Sequence, residues 1–307
     1  EEIQATSPEV QTGGTRGVWG SRFRNPNTYD NTMDYVNVDS TGDAIDFGDS
    51  SVTKTSYAAI SSKTRGIFAG GYSPGAASPK RTNSIELITI ASTGNTIDFG
   101  DLTQARNTPG GTSNGTRGIT AGGTTPSTVD TIDYITIAAT GNAVDFGNLS
   151  QARFNATSCQ SSTRSVFAGG GNPGNVTTID FITTSTLGNA ADFGDLTEAR
   201  RMQGSGSSNS IRGIFPGGAS PGNSNTIDYI TIATLGNALN FGDLTVARES
   251  AGGCSSPTRA VVGGGVGSSV DTIDYVQIMS TGDAVDFGNL TAGGGYINAV
   301  SNGHGGL

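Results

Sequence analysis

The fold is decided by the sequence TRAVVGGG at residues 258–265, which is followed by IDYV at 273–276 and DFGNL at 286–290. Closely similar phrases recur towards the N-terminus, and their arginines are separated by 49, 52, 47, 48 and 47 residues. These arginines are Arg16, Arg65, Arg117, Arg164, Arg212 and Arg259. A fixed period of about 50 residues is the signature of a repeat architecture.

Each repeat has the pattern of four short β-strands. In the fourth repeat, β-branched and aromatic runs at 165–168, 179–182 and 190–193 are bounded by glycine or asparagine, and a further run extends from Leu196 to Ser207. Such bounded runs are typical of strands. The Gly-Asn or Gly-Asp pair before each third run favours a tight hairpin. The central residues of such a turn need positive φ, which glycine, asparagine and aspartate adopt readily.

Six units of this kind predict an all-β fold, a six-bladed β-propeller with four-stranded antiparallel blades. A single blade cannot bury both of its faces, whereas blades stacked around an axis bury them against each other. No stretch has a helical hydrophobic period. A parallel β-helix is the alternative, although its rungs are usually shorter and lack hairpin turns.

The repeat resembles the kelch repeat, in which an arginine opens the innermost strand a, a Gly-Gly doublet ends strand b, a tyrosine lies in strand c and a tryptophan in strand d. The matching arginines are Arg106, Arg153, Arg200 and Arg248. The matching doublets begin at Gly70, Gly122, Gly169, Gly217 and Gly263. The strand c aromatics are Tyr35, Tyr134, Phe181, Tyr229 and Tyr275. The chain departs from the kelch pattern in strand d, where phenylalanine replaces tryptophan at Phe47, Phe99, Phe146, Phe193, Phe241 and Phe287.

The near-verbatim phrases TIDY and DFGDLT are similar to those of kelch-like proteins of marine bacteriophages. This resemblance implies a virion or extracellular location and a non-enzymatic structural or adhesion role, such as that of a virion structural or tail-fibre component. The implied partners are other virion or surface proteins, or a glycan receptor. The alternative is an extracellular subunit that self-assembles into an array or filament through its N-terminal arm.

We expect one propeller domain over residues 15–307, preceded by an arm of residues 1–14. The expected blades are 50–101, 102–148, 149–195, 196–243 and 244–290, and the first blade combines about 15–49 with a closing strand from 292–307. The C-terminus is favoured for closure because Pro8 and two leading acids make residues 1–14 a poor innermost strand. The arm is then either disordered or able to dock on another subunit by adding a strand to an exposed edge.

A basic and aromatic patch is expected on blades 1 and 2. Blade 1 lacks the Gly-Gly doublet, and blade 2 has extra residues between Gly71 and Ser84. Connections between strands b and c share one end of a propeller, and aromatic residues and arginine are enriched at binding surfaces. The candidate ligand-binding residues are Arg22, Arg24, Tyr29, Tyr72, Lys80 and Arg81. The alternative is that these are ordinary variable loops.

Composition and motifs argue against several other functions. The net charge of −9 disfavours nucleic acid as a partner, and no apolar run approaches the ~20 residues of a membrane helix. The single histidine is His304, and no zinc spacing, P-loop, dinucleotide fingerprint or serine elbow occurs. We therefore predict no enzyme, no catalytic residue, no metal site and no cofactor. A copper enzyme like the kelch-type galactose oxidases needs more histidine ligands than this chain has.

Two carboxylate positions recur through the repeats. The first is occupied by Asp34, Glu86, Asp133, Asp180, Asp228 and Asp274. The second is occupied by Asp46, Asp98, Asp145, Asp192 and Asp286, with Asn240 in the fifth repeat. Ca²⁺ binding is one interpretation, since hard cations take several oxygen ligands. We favour Asp–Arg pairing, because one carboxylate per blade cannot converge on a single site.

The two cysteines, Cys159 and Cys254, occupy equivalent positions in non-adjacent repeats. Equivalent positions in non-adjacent blades are too far apart for a disulfide. We therefore expect both side chains to be buried as small apolar groups.

Overall fold

The computed structural model describes residues 15–24, 27–204, 206–266 and 270–303. These ranges form strands β1 (Arg16–Trp19), β2 (Arg22–Arg24), β3 (Thr28–Asp30), β4 (Thr32–Asn37), β5 (Ile45–Asp49), β6 (Ala58–Ser61), β7 (Arg65–Ala69), β8 (Ser84–Thr89), β9 (Ile97–Asp101), β10 (Gly110–Ser113), β11 (Arg117–Ala121), β12 (Thr131–Thr136), β13 (Val144–Asn148), β14 (Thr157–Gln160), β15 (Arg164–Ala168), β16 (Thr178–Thr183), β17 (Ala191–Asp195), β18 (Ser207–Ser208), β19 (Arg212–Pro216), β20 (Ala219–Ser220), β21 (Gly222–Asn223), β22 (Thr226–Thr231), β23 (Leu239–Asp243), β24 (Gly252–Ser255), β25 (Arg259–Gly263), β26 (Thr272–Gln277), β27 (Val285–Asn289) and β28 (Ala299–Ser301). The described ranges contain no helix, and so none that could cross a membrane.

The strands form six antiparallel sheets of four, which confirms the predicted six-bladed β-propeller. In sheet order, blade 1 is β28-β1-β4-β5, blade 2 is β6-β7-β8-β9, blade 3 is β10-β11-β12-β13, blade 4 is β14-β15-β16-β17, blade 5 is β18-β19-β22-β23 and blade 6 is β24-β25-β26-β27. We call the four strands of each blade a to d in this order. The short pairs β2-β3 and β20-β21 are hairpins within the connections between strands b and c of blades 1 and 5.

The ring is closed in blade 1, whose strand a comes from the C-terminal segment. Val300 of β28 lies opposite Val18 of β1 in the antiparallel register. The single tryptophan, Trp19, is fully buried, and its indole N–H donates to the carbonyl oxygen of Gly252 in blade 6 at 2.9 Å. A Cβ on Gly263 would come within 2.9 Å of this indole, so blade 6 accommodates the ring through its glycines. Trp19 therefore joins the first blade to the last.

Each blade packs an aromatic or apolar strand c residue against a strand d phenylalanine. In blade 4 the rings of Phe181 and Phe193 meet edge to face, with centroids 6.0 Å apart and an interplanar angle of 78°. Phe193 is buried within the core cluster between blades 4 and 5, together with Ile230 and Ala238 of blade 5. The Asp-Phe-Gly phrase therefore forms strand d, as the sequence predicts, and it packs between blades.

The arginine that sets the sequence period connects neighbouring blades. Arg164 opens strand b of blade 4, its guanidinium lies 4.8 Å from the ring centroid of Phe181, and Nη1 donates to the carbonyl oxygen of Ile232 in blade 5 at 2.8 Å. The same bond to a following blade is made by Arg16, Arg65, Arg117, Arg212 and Arg259. The last of these reaches Val38 of blade 1 and so completes the ring.

The Gly-Asn and Gly-Asp pairs also connect blades at the outer strands. The Gly236 N–H donates to the carbonyl oxygen of Phe193 at 2.9 Å, and the Asn237 side chain accepts from the Asp195 N–H at 3.0 Å. A Cβ on Gly194 would lie 2.5 Å from the Gly236 oxygen, so glycine is required at this contact between blades.

The innermost strands pack closely around the axis. Most strand a residues are small, and in blades 2, 4 and 6 all four are buried. Ser255 donates to the carbonyl oxygen of Ser208 at 2.8 Å, and Ser301 donates to that of Ser255 at 2.7 Å. A Cβ on Gly111 would lie 2.5 Å from the Ala59 oxygen, so strands a of neighbouring blades are almost in backbone contact.

The arginines that match the kelch pattern lie outside strand a, which corrects the sequence interpretation. In blade 4, Arg153 precedes the first residue of β14 by four positions. Arg106, Arg153, Arg200 and Arg248 are fully buried in the connections between blades, where each guanidinium reaches a strand c carboxylate. A residue within strand a would instead point its side chain to one face of the sheet. Cys159 and Cys254 are buried and unpaired, as expected.

Candidate functional site

An open cavity of about 510 Å³ lies at one end of the propeller axis. Because consecutive strands of a blade are antiparallel, the connections from b to c and from d to the next a emerge at the same end. The lining residues come from these two kinds of connection and belong to blades 1 to 5. Each of the closely packed strands a directly follows one of the connections from d to a. The volume is within the ~300–1,000 Å³ range of small-molecule sites.

An arc of backbone hydrogen bonds frames the cavity. The N–H of Ser56 donates to Tyr296, that of Thr108 to Ser56 and that of Asn155 to Thr108, each at 2.7–3.1 Å and each linking one blade to the next. These four residues line the cavity and all have positive φ, between 55° and 59°. Left-handed backbone at non-glycine residues costs about 1–3 kcal/mol and clusters at ligand-binding sites.

Aromatic rings form a continuous wall along the blade 1 and blade 2 side. The rings of Tyr29 and Tyr72 are stacked with centroids 5.8 Å apart, and Phe23 contacts Tyr29 edge to face at 5.1 Å. Phe23 also contacts Tyr296 at 6.1 Å. The hairpin β2-β3 holds this arrangement, because Phe23 and Tyr29 are paired across its two strands. Burial raises the pKa of Tyr29 and Tyr296, so both phenols stay neutral donors at ordinary pH.

The opposite side carries an amide that the fold does not use. Gln203 lines the cavity, is 4% exposed, and has no hydrogen-bond partner at either Oε1 or Nε2 among the described residues. The Oδ1 atom of the neighbouring Asn155 is likewise buried without a partner. A buried unsatisfied polar group costs about 1–3 kcal/mol.

Three of the six sequence-predicted residues line the cavity. Tyr29 and Tyr72 belong to the aromatic wall, and Arg81 donates from Nε to the Asn107 side chain at 3.1 Å. Arg24 lies outside the lining, where its 43% exposed side chain pairs with Asp30 at 3.0 Å. Lys80 is exposed at the same end of the ring and also lies outside the lining. The lining of the cavity is therefore more aromatic and less basic than the predicted patch.

Arg22 is not a surface residue, which corrects the prediction of an exposed basic position. Its side chain is fully buried, and Nη1 lies 2.8 Å from Asp34 Oδ2. In the other blades the lysine or arginine of the ion pair precedes strand a. In blade 1, whose strand a is C-terminal, the residue at that position is Gly294. A Cβ on Gly294 would lie 2.9 Å from Cγ of Arg22, so the side chain from β2 passes through the space that the missing side chain leaves. Arg22 thus takes the structural role of Arg153 from a different strand.

Six buried ion pairs account for the first carboxylate position, and five of them are the predicted Asp–Arg pairs, whereas blade 2 has a Lys–Glu pair. The prediction is wrong for the second carboxylate position, which makes no ion pair among the described residues. The N–O distances are 2.8–3.1 Å. The pairs are Arg22–Asp34, Lys54–Glu86, Arg106–Asp133, Arg153–Asp180, Arg200–Asp228 and Arg248–Asp274. The second position lies on strand d and is exposed. In the described ranges no three His, Cys, Asp or Glu residues form a group that could hold a metal ion.

The described lining of the cavity offers binding chemistry. It provides aromatic faces, amides, hydroxyls and one guanidinium, and it includes no carboxylate, histidine or cysteine. Such a surface suits a ligand with both apolar and hydrogen-bonding faces. His304 and the arm of residues 1–14 lie outside the described residues.

Ten of the thirteen lining residues are not predicted from the sequence, among them Phe23, Phe154, Asn155, Gln203 and Tyr296. Tyr296 falls within the segment 292–307 that is expected to close the ring, but it precedes strand β28. Gln203 had a detectable signal, because it stands three residues after the buried arginine at a position that is apolar or aromatic in every other blade. The equivalents are Tyr57, Pro109, Ala156, Ala251 and Ile297.

Neither the family models nor the curated proteins searched match this chain.

Proposed function

We propose that the protein is a non-enzymatic recognition protein that binds another protein or a surface glycan through the axial cavity and the loops around it. The observation that carries this proposal is the cavity itself, which is lined by five partly exposed aromatic rings and by a buried amide that has no partner among the described residues. Arrangements of this kind expose apolar area and leave polar groups unpaired, and both costs are recovered only when a ligand binds.

The setting we propose is a bacteriophage virion, where the protein is a structural or tail-fibre-associated adhesion component with kelch-type blades. Support for the kelch assignment comes from the Gly-Gly doublet, which directly follows strand b in blades 2 to 5. The virion setting rests on the resemblance of the repeat phrases alone. Surface recognition is the activity that links this setting to the cavity.

Binding of the fluorescently labelled full chain to a panel of bacterial cells tests the proposal. We expect cell binding that is lost in the double variant Tyr29→Ala/Tyr72→Ala, because the stacked rings form the exposed wall. Lys63→Ala is the matched control, since Lys63 is exposed between β6 and β7 at the other end of the ring. Absence of binding to any surface, or equal loss in both variants, would contradict the proposal.

Self-assembly is the second candidate, and the outer strands favour it. Strand d is the edge of every blade, and its first residue is an exposed apolar side chain in several of them, such as Ile97 and Leu239. Exposed edges are templates for strand addition. Light scattering on the full chain and on a chain lacking residues 1–14 separates the candidates. Large species that become monomers without the arm would favour assembly, whereas monomers in both cases would exclude the arm as a linker.

A further inference from the structure

We propose that the axial cavity is a saccharide-binding site in which the side-chain amide of Gln203 reads a pair of neighbouring hydroxyl groups. The inference rests on the proposed function, because it takes the cavity end as the binding end. It adds the chemical class of the ligand and the residue that determines specificity.

The fold itself does not require an amide at position 203. The five equivalent positions carry tyrosine, proline, alanine, alanine and isoleucine, and each of these blades closes around the axis. Gln203 is as buried as four of these five residues, and its two amide atoms have neither a partner among the described residues nor exposure to solvent. Polar groups in protein interiors are nearly always hydrogen-bonded. A bound molecule supplies the missing partners once the side chain turns towards the cavity.

The chemistry of the carboxamide indicates which kind of molecule satisfies it. A carboxamide presents an acceptor oxygen beside two donor N–H groups. Two hydroxyls on adjacent carbons match it, because one can donate to Oε1 while the other accepts from Nε2. The unpartnered Oδ1 of Asn155, from the next connection in the ring, accepts a further hydroxyl proton. Sugar rings carry adjacent hydroxyls on most of their carbons.

The aromatic wall lies across the ring from the amide. Gln203 belongs to blade 5, which lies across the six-bladed ring from blade 2 and its Tyr72. A ligand that spans the cavity therefore meets an amide on one side and the stacked rings of Tyr29 and Tyr72 on the other. The C–H face of a pyranose packs well on an aromatic face, whose charge is negative. A sugar thus satisfies both sides with one ring.

Charge disfavours phosphorylated ligands and nucleic acid. The chain has a net charge of −9, and Arg81 is the one cation among the described residues that line the cavity. Phosphate recognition relies on several lysine or arginine contacts. A protein ligand remains the competing class, and the experiments below distinguish it.

The first experiment measures binding of free sugars to the full chain by saturation-transfer difference NMR. The probes are neutral hexoses, N-acetylhexosamines and hexuronates. We expect saturation transfer to at least one sugar, an affinity about tenfold weaker in Gln203→Ala, and an affinity within twofold of wild type in Lys63→Ala. Lys63 is exposed between β6 and β7 at the other end of the ring, so it controls for general effects of a substitution. If Gln203→Ala does not fold, Gln203→Met removes the amide while keeping the length.

The second experiment uses the cell surfaces of the binding test. Periodate cleaves the carbon–carbon bond between two hydroxyl-bearing carbons, giving two aldehydes and iodate. We expect periodate treatment of the cells to abolish binding and protease treatment to leave it intact. Binding that depends on Tyr29 and Tyr72 but survives periodate and is lost after protease would overturn the saccharide inference and leave the proposed function standing. If no cell surface and no free sugar binds, both fail. Equal sugar affinity in wild type and Gln203→Ala would overturn the role of the amide.

Discussion

The buried ion pairs give the sharpest prediction about stability. In blade 4, Asp180 forms an ion pair with Arg153 Nη2 at 3.0 Å and accepts hydrogen bonds from the Ser150 N–H at 3.0 Å and from the Ser150 hydroxyl at 2.7 Å, and the side chains of Asp180 and Arg153 are fully buried. Asp180→Asn leaves the guanidinium buried without a counter-charge. Breaking a buried pair by removing one partner costs about 3–5 kcal/mol. We expect a loss of this size in the free energy of unfolding.

The same blade offers a matched control. Asp192 lies directly opposite Asp180 in the strand register, but it belongs to the exposed second position. We expect Asp192→Asn to change the free energy of unfolding by no more than ~0.5 kcal/mol. Guanidinium titration followed by Trp19 fluorescence measures both variants, because the indole is buried at the contact between blades 1 and 6. Equal effects of the two substitutions, or a negligible effect of Asp180→Asn, would refute the assignment of a structural role to the buried pair.

Three further predictions follow from the packing. Phe193→Ala should cost about 3–5 kcal/mol, because the ring is buried between blades 4 and 5; melting within a degree of wild type would show that this packing is wrong. Trp19→Ala should cost a similar amount and should lower the cooperativity of unfolding seen by circular dichroism, because it loosens the contact that closes the ring; a fully cooperative transition at the wild-type midpoint would argue against this role. Burial raises the pKa of both cysteine thiols. Cys159 and Cys254 should therefore react with Ellman's reagent in the native protein only on the timescale of unfolding. Prompt reaction of either thiol would show that it is accessible.

The sequence predicts the architecture well, because the repeat places each kind of side chain in the same environment six times. The period, the short runs and the recurrent aromatic residues lead directly to blades of four strands. The pairing of Asp180 with a basic residue also follows, since a single carboxylate per blade has few other roles. The position of Arg153 was less predictable, because strand a is short and its start depends on where the guanidinium must reach.

The sequence predicts the lining of the cavity only in part. Tyr29, Tyr72 and Arg81 line it, and they lie where the repeat is interrupted in two neighbouring blades. Arg22 was misassigned, because its burial depends on Gly294, more than 250 residues away in the sequence, which leaves a space that only the folded ring brings next to β2. Gln203 could have been found by comparing all six equivalent positions, whereas its lack of a hydrogen-bond partner is a property of the three-dimensional packing.

The role of Gln203 is tested most directly by the melting temperature of Gln203→Ala, measured beside its binding to cells. If the amide serves a ligand at a cost to the fold, its removal does not destabilise the protein. We predict a melting temperature equal to or above that of wild type, together with loss of binding, since alanine is the residue at the same position in blades 4 and 6. A lower melting temperature with unchanged binding would show that Gln203 supports the fold and that the binding site lies elsewhere.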